Sequence, residues 1–139
     1  MAELFLVPAV LMGVVIGLIE LFFVHMDEKG LGWLSHGLHT LPTAFIFTFI
    51  AMNIPYVAGL LNVTIDSNFW ILLTIQVVIG LVAAIKVKSA AAIVSGRNAV
   101  GEKLSHALII GALIAASPYI YGAIEPVLPE FITNMYILN

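Results

Sequence analysis

Residues 4–25 read LFLVPAVLMGVVIGLIELFFVH, an apolar run whose one acidic residue is Glu20 and whose end is marked by His25. Wound as a helix at 1.5 Å per residue, such a run is about 33 Å long, enough to cross a hydrocarbon layer about 30 Å thick. Three further runs have the same character, at about residues 40–61, 69–87 and 105–124. The chain has 139 residues, 62% hydrophobic and 9% charged. Soluble domains carry about 25% charged residues, so this composition excludes a water-facing surface over the whole molecule. The expected fold is all-α and integral to a membrane, a single domain (1–139) of four transmembrane helices. The first run has no basic residue ahead of it, so it reads as a span and not as a cleaved signal peptide.

The charges orient this bundle. All five basic residues fall in two segments: Lys29 in one, and Lys86, Lys88, Arg97 and Lys103 in the other. In a four-span chain both segments lie on one side, which the positive-inside rule assigns to the cytoplasm. Residues 26–38 and 88–104 are then cytoplasmic, with both termini and the polar turn Asn62–Asn68 outside a cell membrane. Asn62-Val63-Thr64 is a glycosylation sequon on that outer side, held close to the lipid. Ser89 to Val94 should continue the third helix past the membrane until Gly96 stops it. The tail, 126–139, has no basic residue, and Phe131, Ile132, Met135 and Tyr136 suit a short interfacial helix. The basic segment from Lys86 to Lys103 suits contact with anionic lipid better than nucleic acid.

Three matches suggest an internal repeat. Val14-Val15-Ile16-Gly17-Leu18 recurs as Val77-Val78-Ile79-Gly80-Leu81, and Pro55-Tyr56 recurs as Pro118-Tyr119, both 63 residues on. Leu34-Ser35-His36 recurs as Leu104-Ser105-His106, 70 residues on. This is the pattern of two helical hairpins, 4–61 and 69–124, repeated in parallel about the membrane normal. Pro55 and Pro118 should each kink or end a span.

The polar chemistry gathers at the basic side. All four histidines (His25, His36, His39 and His106) flank the basic segments, as do Glu20, Asp27, Glu28 and Glu102. Gly13, Gly17, Glu20, Val24 and Asp27 share one helical stripe, and the Gly13/Gly17 pair invites a close neighbour, so Glu20 should point into a helix contact. His36/His39 and Glu102/His106 are pairs spaced to share a helix face. Imidazoles and carboxylates on facing helices are how bundles build metal sites. Glu20, His25, His36, His39, Glu102 and His106 are therefore the candidate ligands, for zinc or iron. The chain has no cysteine, which excludes disulfides and thiolate ligands. No HExxH motif, phosphate-binding glycine loop or nucleophile elbow is present. Three functions fit: a metal-binding membrane protein, with oxidase or hydrolase chemistry conceivable; a non-catalytic subunit of a larger membrane complex; and a small homo-oligomeric transporter or channel in which Glu20 carries a proton or cation. The bilayer is the expected surrounding in all three.

Overall fold

The computed structural model describes residues 3–27, 32–94 and 103–133. All regular structure among them is helical: α1 (Leu6–Asp27), α2 (Gly32–Met52), α3 (Ile54–Leu60), α4 (Phe69–Val94), α5 (Leu104–Ile124), a 3-10 turn (Glu125–Val127) and α6 (Glu130–Thr133). The four long helices pack as two hairpins, α1 with α2 and α4 with α5. α2 also touches α4 and α5, and α5 touches α1. One end of the bundle, where α1 and α4 finish and α2 and α5 begin, carries Lys86, Lys88 and Lys103; it is called the basic end below.

Three helices, α1, α4 and α5, are each long and apolar enough to cross a membrane, and α2 with α3 can be counted as a fourth, broken span. The helices are apolar nearly all round. Leu18 and Phe22 on α1 are each 60% exposed, Leu38 on α2 63% and Ile85 on α4 65%. Apolar residues all round a helix suit surroundings that are themselves apolar.

The second span departs from expectation. It does not run from 40 to 61: α2 starts at Gly32, stops at Met52, and α3 leaves it at 91°. Two physical causes act. His36, His39, Thr40 and Thr43 conceal the start of the helix in a reading by hydropathy, although Thr40 and Thr43 bond back to the carbonyls of Gly37 and His39 and so fit the helix. At the far end Pro55 has no N–H to continue the ladder and its ring would meet a carbonyl of the preceding turn. The chain breaks at Asn53 and restarts with Pro55 in the first turn of α3. α3 ends in a Schellman closure, with Asn62 at φ 56° and Val63 N–H bonded to Ala58 O at 2.9 Å.

Pro118 behaves differently from Pro55 and ends nothing, since α5 runs through it to Ile124. The N–H that proline lacks would have met the Ile114 carbonyl; the Ser117 hydroxyl donates to that oxygen instead, at 2.8 Å. α4 continues to Val94 as its sequence suggested. In the tail, Met135 and Tyr136 lie outside the described residues.

Candidate functional site

The hairpin α1–α2 fixes the depth of the site. Leu41 lies over Gly17, Phe45 over Gly13, and Leu21 over Gly37. In this antiparallel register Glu20 stands level with His36 and Thr40 to within about one helical turn. All three are fully buried, at 0% exposure. The Thr40 hydroxyl donates to the Gly37 carbonyl. Met12 and Ile16 lie on one side of this polar layer, and Ala107, Ile110 and Ile114 of α5 complete the apolar core around it. Glu20 sits about 10 Å along the axis from Asp27, the last residue of α1.

Asp27 closes the bundle at the basic end. Its Oδ2 accepts a hydrogen bond from the backbone N–H of Lys103 at 3.0 Å and from His106 Nδ1 at 2.7 Å. Its Oδ1 lies 3.0 Å from Lys103 Nζ. The Asp27 side chain is 1% exposed, while that of Lys103 is 60% exposed. The His106 ring stacks on Phe23, with centroids 4.3 Å apart and planes within 11°. α1 is thereby joined to the first turn of α5 by a charge-assisted network, the stronger kind of hydrogen bond.

The six candidate residues therefore separate. Glu20 and His36 share the buried layer. His106 belongs to the Asp27 network nearer the surface. His25 is exposed and meets Trp33 edge to face at 4.9 Å. His39 is exposed, with Nδ1 2.8 Å from the Ser35 carbonyl. Glu102 lies outside the described residues. Among the described residues no group of three or more His, Asp or Glu side chains is placed to hold a metal ion. The expected convergence of at least three of the six on one spot does not occur among those described. His36 and His39 lie only about 60° apart around α2, but the edge of the interface falls between them, so His36 is buried and His39 is exposed.

Two residues that the structure places in this region were absent from the candidate set. Asp27 is the hub of the basic end, and its signal was present, since it shares a stripe with Gly13, Gly17, Glu20 and Val24. Thr40 had no signal of its own; only the register of α2 against α1 places it beside Glu20. No family model matches the chain, and neither the curated proteins nor the solved structures offer a match that would lend it a family.

Proposed function

We propose that the chain crosses a cell membrane four times, with α2–α3 as the broken second span and the basic end in the cytoplasm, and that the Glu20–His36 layer carries an exchangeable proton. The observation that carries this reading is the complete burial of a carboxyl and an imidazole in one layer of an otherwise apolar core. A lone charge at such depth costs at least about 2.5–3.5 kcal/mol on insertion scales, and ionisable residues placed there tend to face the bundle interior and to act in proton or ion pathways. A carboxyl and an imidazole at one depth can share a single proton and stay neutral as a set, which lowers that cost. The Asp27–His106 network, about 10 Å nearer the surface, offers the next proton-accepting groups. The zinc or iron reading has too few donors at one place among the described residues to be preferred.

The hairpins also read as two copies of one unit, and the shape of the outer surface supports this. Each hairpin has an open apolar groove where its helices cross. Val14, Gly17 and Leu18 line one, and Val77, Gly80 and Leu81 line the other, 63 residues on. Leu38, Leu41 and Phe45 in the first correspond to Leu108, Gly111 and Ala115 in the second, 70 residues on.

Purified protein reconstituted into vesicles loaded with a pH-sensitive dye tests the proton reading. A proton gradient should dissipate faster than in empty vesicles, and Glu20→Gln should slow the protein-dependent rate about a hundredfold or more, the loss usual for a positioned proton-transfer group. Rates equal to those of empty vesicles, or unchanged by Glu20→Gln, would rule it out and favour a non-catalytic membrane subunit.

A further inference from the structure

The groove between α4 and α5 differs from its counterpart in what stands at its basic end. Its floor is the contact of Gly80 with Gly111, where each backbone lies against the other with no room for a side chain. Val77, Leu81 and Ala84 wall it on α4, and Leu108, Ala112 and Ala115 on α5. It encloses about 460 Å³ and opens outward between the two helices. Small residues make it deep, whereas Pro42 and Phe45 partly fill the counterpart on α1–α2.

Lys88 continues the same stripe of α4. Val77, Leu81, Ala84 and Lys88 recur at intervals of four and three, so they share a helical face. Lys88 lies eight residues beyond Gly80, about 12 Å along the axis. That places it level with Lys103 and the start of α5, where the apolar surface gives out. Lys88 is exposed. Lys86, two residues earlier, projects from a different side of α4. In the α1–α2 hairpin the position equivalent to Lys88 is His25, engaged with Trp33.

We propose that the α4–α5 groove seats one acyl chain of an anionic phospholipid, with the lipid phosphate held against Lys88. The apolar trough lies at the depth of the acyl chains and the cation at the depth of the headgroup, which is the charge order of such a lipid read from the midplane outward. A basic side chain close to an anionic surface contributes about 1 kcal/mol, a factor of about five in affinity. The inference rests on the membrane-spanning reading given above.

Native mass spectrometry of the detergent-released protein, after exchange into mixed phosphatidylglycerol and phosphatidylcholine, tests it. The expected result is one retained phosphatidylglycerol per chain, preferred about fivefold. Lys88→Gln should abolish the preference, Lys86→Gln should leave it, and Ala112→Phe, which fills the trough, should remove the adduct. Equal loss in the two lysine variants would mean diffuse attraction and overturn the site, as would no preference in the parent chain. Ala112→Phe breaking up an oligomer while the lipid stays bound would show that a second copy occupies the groove, and also overturns the proposal. Failure of the membrane reading itself looks different: the chain would then stay soluble without detergent.

Discussion

Asn53 ties three backbone groups together at the end remote from the lysines. It is fully buried at the break between α2 and α3. Its Oδ1 accepts the Phe5 N–H at 2.7 Å, and its Nδ2 donates to Phe49 O at 3.0 Å and to Phe5 O at 3.4 Å. Phe5 immediately precedes α1, so a residue far along the chain satisfies a backbone donor at the start of the first helix. Asn53→Ala takes the acceptor from the Phe5 N–H, at a cost of about 1–3 kcal/mol if that donor is left unpaired. Thermal unfolding in detergent should show a lowered midpoint relative to the parent protein, and an unchanged midpoint would mean that water reaches these groups. Asn68 has a simpler role, its side chain accepting the Trp70 N–H at 2.9 Å to cap α4. At this scale the sequence was half legible. Glu20 was identifiable from its stripe, and it is buried; Asn53 read only as a polar residue within a span, because its partners come from a helix end that no local pattern connects to it.

Among the elements, α4 and α5 meet backbone against backbone, and glycine is the cause. A Cβ added at Gly80 would collide with the Gly111 carbonyl, and one at Gly111 with the Gly80 carbonyl; both neighbours are backbone and cannot step aside. Gly80→Val should therefore push the hairpin apart, costing about 1–3 kcal/mol or more. Gly122, also in α5, has nothing within 4 Å of the place a Cβ would take, and serves as the control. Gly122→Ala should hold or slightly raise stability, by up to about 1 kcal/mol from helix propensity. Similar midpoints for the two variants in a detergent melt would refute the tight crossing. The long helices were legible because runs of apolar residues admit few alternatives. The boundaries of α2 were not, since its polar first half resembles a loop when read without its neighbours. Of those polar residues, His36 and Thr40 are sheltered where α2 packs against the other three long helices, while His39 stays exposed.

For the whole molecule, orientation is the quantity that charge alone determines. With the five basic residues confined to two segments, the C-terminus should lie outside. A fusion of alkaline phosphatase at the C-terminus should be active and a fusion of green fluorescent protein dark; the opposite result would invert the bundle and place Glu20 near the outer face. The site was legible as a region and not as a constellation, because hydropathy and charge give depth while only packing gives azimuth. The join between Asp27 and Lys103 also dictates an order of events. A ribosome delivers Asp27 long before Lys103 and His106 exist, so the first hairpin must wait for the partners that hold this carboxylate in the folded bundle. The end of α1 is thus completed only once α5 is in place, so the first hairpin cannot reach its final form alone.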